Sequence, residues 1–180
     1  MLEAVPNVSE GRNGAVIKTI ERAFAKDARV LDVHADPDHH RAVFTLVGDA
    51  PALAEALLAG ISAALALVDL RAHAGVHPRV GAVDVVPVVP FPHDDMELAK
   101  ATARSLAGRI GAELGLPVFH YGEIGGGRIA AYFRNGGLEG LQRRVEIGEL
   151  VPDAGPRRGR SASTHRLQRD PRHRPRRRCA

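Results

Sequence analysis

The sequence predicts an α+β domain of the split βαβ type, followed by a basic tail that we expect to be disordered. The chain has 180 residues, 44% of them hydrophobic, which is enough for one domain with a buried core. The predicted elements run strand, helix, strand, strand, helix, strand. The charge then changes abruptly near residue 156, which marks the predicted domain boundary.

The first predicted elements are three strands and one helix. EAVPN (Glu3–Asn7) reads as a short strand, and Ala28–Ala35 and Arg41–Gly48 read as two more, joined by the polar run DPDHH. Between the first two strands, Gly14–Ala25 is predicted to be helical because its apolar side chains share one face. These are Val16, Ile17, Ile20 and Phe24.

The second helix–strand pair follows at once. An Ala/Leu-rich helix is predicted from Pro51 to about Val68, since proline is well tolerated in the first turn of a helix. The strand Gly81–Val89 comes after the loop RAHAGVHPR. Asp94 and Glu97 then resemble a capping box, which predicts a third helix ending near Gly115.

A further strand, Leu116–Gly122, and one more short helix in GGLEGLQRRV are predicted to extend this arrangement. The Gly-rich segment EIGGGR between them is predicted to be a loop. It lacks the spacing of a phosphate-binding glycine motif, so no phosphate site is predicted there. The whole order matches the ferredoxin-like split βαβ with an appended helix and strand. Helices cover one face of such a sheet, so we expect a second domain or subunit on the other.

The charge of the chain is divided between two regions. From Arg157 to Ala180 there are ten arginines and one acid, a net of +9, so the total of +4 leaves −5 for residues 1–156. The tail is rich in Arg, Pro and Ser and cannot bury enough apolar surface to fold alone. Its abrupt composition is what an out-of-frame, GC-rich coding sequence would produce, and we expect residues 157–180 to be non-native.

Several classes of protein are disfavoured. Cys179 is the only cysteine, so neither a disulfide framework nor a thiolate metal cluster is expected. The N-terminal residues lack the features of a signal peptide, and the apolar run ALLAGISAALALV is shorter than a membrane span. We therefore expect a cytoplasmic protein.

The loop before the fourth strand holds the most suggestive ionisable groups. His73 and His77 are four residues apart, but Gly75 and Pro78 disfavour the helix that would aim both at a metal. Pro78 restricts His77 to an extended backbone, and Arg79 adds a fixed positive charge suited to a carboxylate. A histidine on a stiff loop can move protons near neutral pH, although two exposed loop histidines are the plainer alternative.

A second polar cluster, HADPDHHR, joins two predicted strands. It could form a metal or anion site, but such runs are more often solvated turns. Arg41 has a defined direction because it starts a strand. Asp84, inside the apolar run VDVVPV, needs a partner such as a backbone N–H, an arginine or a histidine, so we expect a structural hydrogen-bond role for it.

Taken in order, these motifs resemble one family. VPNVSEGRN, LDVHADPDHHRAVFTLVG, DLRAHAGVHPRVGAVDVVPVVPF, ELGLPVFHYGE and LVPDAGP are similar to the N-terminal subdomain of glutamate formiminotransferase over about residues 2–156. The resemblance implies transfer of a formimino group from N-formiminoglutamate to N5 of tetrahydrofolate in histidine breakdown. Tetrahydrofolate would be a co-substrate, and no metal is expected.

The resemblance also assigns residues and partners. It implies that His77 is the catalytic acid/base and that Gly155 and Pro156 contact folate. Arg41 and Arg79 are candidates for orienting substrate carboxylates, by charge rather than by the resemblance. In the family, folate lies between two similar subdomains of a dimeric enzyme, and no counterpart of the second subdomain follows Pro156 in this sequence.

Two alternatives remain open. The chain could be a non-catalytic folate-binding or assembly module that pairs with a separately supplied second subdomain or with a second copy. A protein that binds nucleic acid through its basic tail is disfavoured, because the tail has no aromatic residue to stack on bases. The donor group, formimino or formyl, and the oligomeric state do not follow from the residues.

Overall fold

The structure is a computed structural model that describes residues 1–72, 79–91 and 96–157. Helices and antiparallel strands are interleaved along the chain, which confirms the predicted α+β class. The strands are β1 (Leu2–Ala4), β2 (Asn7–Val8), β3 (Arg29–Asp36), β4 (Arg41–Gly48), β5 (Val83–Val85) and β6 (Val88–Pro90). The helices are α1 (Gly14–Phe24), α2 (Ala50–Leu67), α3 (Met96–Arg109), α4 (Ala130–Arg134) and α5 (Gly137–Glu146).

The sheet is centred on β4, which pairs with three other strands. β1 and β2 both run antiparallel along β4, with Leu2 opposite Gly48 and Val8 opposite Ala42. They are therefore consecutive stretches of one strand line, interrupted at Pro6. β3 pairs with the other edge of β4, while β5 and β6 pair with β2 and β1. Across the sheet, the order is β3, then β4, then β1 with β2, then β6 with β5.

Prolines divide two of the strands that the sequence predicts as continuous. The predicted strand Glu3–Asn7 is two short strands, and the predicted strand Gly81–Val89 is divided into β5 and β6. Pro6 and Pro87 have no N–H to donate to a ladder, so pairing is broken at each of them. Their carbonyls still accept hydrogen bonds, from Phe44 N at 3.0 Å and from Val5 N at 3.1 Å, respectively.

The core lies between one face of the sheet and the helices α1 and α2. Alternate residues of β4, namely Ala42, Phe44 and Leu46, are fully buried, as expected for a strand with one face against the core. Phe24 of α1 packs on Phe44 with ring centroids 5.1 Å apart. The side chain of Asn13 caps α1 by accepting hydrogen bonds from two backbone N–H groups of the first turn, which fixes where the helix begins.

Helix α2 is long and apolar enough to cross a membrane by length and composition. In this fold its residues Leu53, Leu57 and Ile61 are buried in the core, so its apolar character is used in packing against the sheet and α1. A core helix of a globular domain passes the same test of length and hydropathy.

The predicted strand Leu116–Gly122 is not a strand of the sheet, and here the prediction is wrong. Within the described residues, Val118 forms only an isolated antiparallel bridge with Ala154. Pro117 lacks an N–H, and Gly122 has a positive φ of 61°, so the segment cannot continue a regular ladder. The helix predicted in GGLEGLQRRV is confirmed as α5. With α4 it forms a second apolar cluster, whose buried members are Phe133, Leu141, Val145 and Leu150.

Candidate active site

Three segments that carry the sequence motifs meet at one end of the sheet. The chain leaves β2 at Val8, which lies opposite both Ala42 and Val83. It enters β4 at Arg41, which is paired with Asp36 at the end of β3. The segment SEGRN, the loop between β3 and β4, and the residues that precede β5 are therefore neighbours.

Ser9 joins the first of these segments to the residues just before β5. Its side chain is 4% exposed, and its hydroxyl donates a hydrogen bond of 2.8 Å to the carbonyl of Gly81. Its backbone N–H donates to the carbonyl of Ala82 at 2.9 Å. Sequence reasoning missed Ser9, although its place directly after a buried strand was a usable signal.

Glu10 and Arg12 join the same segment to the loop between β3 and β4. Oε1 of Glu10 accepts hydrogen bonds from the backbone N–H groups of Arg12 and Asn13 and lies 3.1 Å from Nε2 of His40. Nε of Arg12 donates to the carbonyl of Pro37 at 2.8 Å. Desolvation raises the pKa of Glu10, but these hydrogen bonds and the charge of His40 outweigh it, and the pKa lies below its ordinary value.

Gly11 lets the two segments approach closely. A Cβ at this position would overlap the carbonyl of Asp36 and the backbone nitrogen of Arg41, so only glycine fits. Arg41 itself is half-buried, and its Nε is buried without a hydrogen-bond partner in the described part of the chain. One donor group of this guanidinium is thus buried and unsatisfied within the described residues at the end of the sheet.

The loop between β3 and β4 is a hydrogen-bonded turn. Oδ1 of Asp36 accepts from the backbone N–H groups of Asp38 and His39, and Oδ2 lies 2.6 Å from Nδ1 of His39. The backbone N–H of His39, followed by its imidazole, holds the pKa of Asp36 below the usual range. Among the described residues, no group of three or more His, Cys, Asp or Glu side chains could hold a metal ion.

Arg79 and Asp84 lie on either side of the turn into β5. Arg79 is half-buried, and this burial lowers the pKa of its guanidinium. The side chain of Asp84 is 3% exposed; Oδ1 accepts a hydrogen bond of 3.2 Å from Val80 N, and Oδ2 accepts two from Arg134. The predicted structural role of Asp84 is confirmed, whereas Arg134, fifty residues away in sequence, gave no sequence signal.

Tyr121 lies near the Asp84–Arg134 ion pair. Its hydroxyl is buried and has no hydrogen-bond partner within the described residues. Burial raises the pKa of Tyr121 to about 12, with the charge of Arg134 lowering it and that of Asp84 raising it. The phenol therefore stays neutral at physiological pH. Next to it, the β5–β6 edge, α3 and the residues from Leu116 to Val145 line a largely apolar cavity of about 450 Å³.

The remaining candidates from the sequence differ in how the structure places them. His73 and His77 lie outside the described residues. Gly155 has a φ of 82° and packs against Gly111 and Leu116, where a Cβ on Gly155 would overlap the carbonyl of Leu116. Pro156 follows it and is half-buried. Gly155 and Pro156 are thus anchored beside the end of α3, while Arg41 and Arg79 lie where the chain enters the sheet.

Comparison with known proteins agrees with this arrangement. The family model for the formiminotransferase domain, N-terminal subdomain, matches residues 1–164. A glutamate formimidoyltransferase of Thermoplasma acidophilum is 39% identical over 163 residues, which are 87% of this chain and 54% of that protein. A glutamate formimidoyltransferase of Streptococcus pyogenes is 36% identical over 164 residues, with 88% and 54% covered. A formimidoyltransferase-cyclodeaminase of Gallus gallus is 39% identical over 161 residues, with 87% and 30% covered.

These relatives are longer than the matched region. The chain spans about half the length of the two glutamate formimidoyltransferases and 30% of the Gallus gallus protein. The matched region contains the three segments that meet at the end of the sheet and the segment around Gly155. The chain belongs to the formiminotransferase family and corresponds to its N-terminal subdomain.

Proposed function

We propose that this protein takes part in the transfer of a formimino group from N-formiminoglutamate to N5 of tetrahydrofolate, with release of glutamate. The main support is the meeting of three segments at one end of the sheet, where Arg41 and Arg79 belong to the two segments that flank SEGRN. Arginine suits the carboxylates of a glutamyl donor. Family membership and the names of the relatives point to the same reaction.

The proposed chemistry needs one group that can both accept and donate a proton. N5 of tetrahydrofolate attacks the formimino carbon, and a C–N bond forms. The proton from N5 passes to His77, the bond from the formimino carbon to the glutamate nitrogen breaks, and that nitrogen takes up a proton. An imidazole suits both steps because its pKa lies near neutrality. His77 is assigned to this role by the family resemblance, and Arg79 follows it by two residues.

The folate would be held between this domain and a second one. Gly155 and Pro156 are assigned to folate contact by the family resemblance, and Gly155 packs against Gly111 and Leu116. The relatives are longer than the matched region, which leaves room for a second subdomain that would complete the groove. We also propose that the sheet is of the ferredoxin-like type, because its strand lines follow the order expected for a split βαβ unit.

A second candidate is a folate-binding or assembly module that has no activity alone. It is favoured by one observation, namely that the chain spans about half the length of the glutamate formimidoyltransferases it matches. Transfer that appears only after a second polypeptide is added would favour this second candidate, and the same site residues would then act in the assembled protein.

The test is a rate measurement on the purified protein with N-formiminoglutamate and tetrahydrofolate, scored by glutamate release. The protein is assayed alone and mixed with the unmatched C-terminal part of the Thermoplasma acidophilum relative. We expect His77→Ala to lower kcat by about 10²- to 10⁴-fold, the usual contribution of general acid–base catalysis. His165→Ala is the control, because His165 lies beyond residues 1–164, the range that the family model matches.

Two results would argue against the proposal. The first is glutamate release that requires the protein but proceeds equally fast in His77→Ala. The second is the absence of any transfer, with or without the second polypeptide, by a preparation whose circular dichroism shows it to be folded.

A further inference from the structure

The four residues that lead into β5 are held from two sides. On one side, Ser9 binds the carbonyls of Gly81 and Ala82. On the other side, the backbone N–H of Val80 donates to Oδ1 of Asp84. The Val80 side chain also packs against the second apolar cluster, so this segment contacts both the sheet and the helices α4 and α5.

Arg134 is one of the groups that hold the buried carboxylate of Asp84. Its carboxylate is 3% exposed, and a charge at this depth is strongly unfavourable unless it is paired. Nε of Arg134 donates to Oδ2 at 2.9 Å, and Nη2 donates to the same oxygen. With Oδ2 engaged in this way, Oδ1 is directed at Val80 N. The ion pair thus links helix α4 to the turn into β5.

We infer that Asp84 and Arg134 are positioning residues, which hold the segment 79–82 in place and, with it, the backbone of Arg79, the residue proposed above to bind a substrate carboxylate. The expected effect on catalysis rests on the proposed function. The expected effect of the ion pair on the stability of the segment 79–82 does not. Neither side chain needs to touch substrate. A shift of about 1 Å in a positioned group can lower the rate about a hundredfold, so loss of the Asp84–Arg134 ion pair should have a measurable effect on the rate.

The Asp84–Arg134 ion pair and the packing of Val80 give α4 and α5 a role in holding the segment 79–82, although these helices are far from it in sequence. Arg134 is fifty residues from Asp84 in sequence. Its neighbour Phe133 is a buried member of the second apolar cluster, against which the partly buried Val80 packs. Packing and ion pairing therefore act on the same short segment. Loss of the ion pair leaves the apolar contact in place, which makes the two contributions separable.

The test combines amide hydrogen exchange with kinetics on Arg134→Gln and Arg134→Lys. In Arg134→Gln we expect exchange at the Val80 amide to accelerate tenfold or more, while amides of β4 keep their protection. In the assay with N-formiminoglutamate, KM for this donor should rise severalfold and kcat/KM should fall about tenfold or more. Arg134→Lys keeps the charge with poorer geometry and should give intermediate values for each.

Arg109→Gln is the control variant. Arg109 also forms ion pairs, with Glu55 on α2 and with Glu113 just after the end of α3, but these pairs lie at the surface. It should leave Val80 exchange and KM unchanged. A variant that merely loses folded protein would lower kcat without raising KM, so the two effects are distinguishable.

Val80 exchange equal to that of the unaltered protein in Arg134→Gln would overturn the inference, whatever the activity. Faster Val80 exchange in Arg134→Gln with an unchanged KM for N-formiminoglutamate would overturn the inferred effect of the ion pair on substrate binding. If Arg134→Gln does not fold, Arg134→Lys decides by the same two measurements. Absence of transfer in the unaltered protein would refute the proposed function and leave the exchange result to stand by itself.

Discussion

Glu10 holds two loops of the candidate site together. One carboxylate oxygen accepts two backbone N–H groups at the start of α1 and faces Nε2 of His40 on the neighbouring loop. The side chains of Glu10 and His40 are 15% and 12% exposed, so the contact is largely shielded from solvent. Arg41 follows His40 directly and is the first residue of β4, so this contact lies beside the start of that strand.

The lowered pKa of Glu10 predicts a pH dependence of stability. Because the carboxyl is more acidic in the folded state, its contribution is present above its ordinary value of 4.5 and is lost as the pH falls through the lower folded value. We expect Glu10→Gln to lower the free energy of unfolding at pH 7 by about 1 kcal/mol, because the amide oxygen of glutamine can still accept a hydrogen bond but carries no charge. The measurement is urea denaturation at pH 7 and across the range below 4.5.

Once the pH is below the pKa of Glu10 in the folded protein, Glu10 is protonated, and the original protein and Glu10→Gln should have similar free energies of unfolding. Glu139→Gln is the control, since Glu139 is exposed on α5 and its replacement should change the free energy by no more than about 0.5 kcal/mol. An equal loss of stability at every pH would contradict the assigned role of the carboxylate.

Arg41 and Asp84 show how far single residues can be interpreted from sequence. Arg41 was identifiable because a charged residue that starts a strand has a fixed direction, and Asp84 because a carboxylate in an apolar run needs a partner. The partners were not identifiable. Arg134 and Glu10 reach their contacts across 50 and 30 residues of sequence, and no local pattern encodes such pairs.

At the scale of elements, the contact between α1 and α2 is set by one glycine. A Cβ on Gly60 would overlap the ring of Phe24, which is itself fully buried against Phe44. The ring cannot move aside without disturbing the first layer of the core. Gly60 therefore allows the two helices to approach closely over the sheet.

Gly60→Ala should destabilise the protein by about 1–3 kcal/mol, because the added methyl group overpacks the core. Thermal or chemical denaturation measures it. The matched control is Gly108→Ala in α3, where a Cβ meets nothing within 4 Å. There the gain in helix propensity should stabilise by up to about 1 kcal/mol. If both variants lose stability equally, the overlap with Phe24 is not the cause.

The elements that could be predicted are those with a strong local pattern. Helix α1 was predicted from the spacing of the apolar residues on one face, and β4 from its content of apolar residues. The structure confirms both, and it also confirms the short helix predicted in GGLEGLQRRV as α5. The segment Leu116–Gly122 was mistaken for a strand because it is apolar, yet it pairs with the sheet at no described residue. Its bridge to Ala154 is a tertiary contact, which local sequence does not specify.

At the scale of the whole molecule, the helices cover one face of the sheet. The other face of β4 carries Val43, Thr45 and Val47, which are partly exposed in the described chain. Such a mixed face fits a cover by another folded unit, as the sequence predicted. The chain covers 54% of each of the two glutamate formimidoyltransferases, so those proteins have further residues beyond the matched region.

We propose that this chain, completed by a second subdomain, takes part in moving a formimino group to folate, with His77 as the proton carrier. The most direct measurement follows N-formiminoglutamate labelled with carbon-13 in its formimino group, incubated with tetrahydrofolate, the protein and the complementing second polypeptide. The account predicts that the label appears on N5 of folate, with one glutamate released per transfer, and that His77→Ala abolishes most of it. Label that stays on the donor or is released by hydrolysis, or that reaches folate as fast in His77→Ala, would contradict the account.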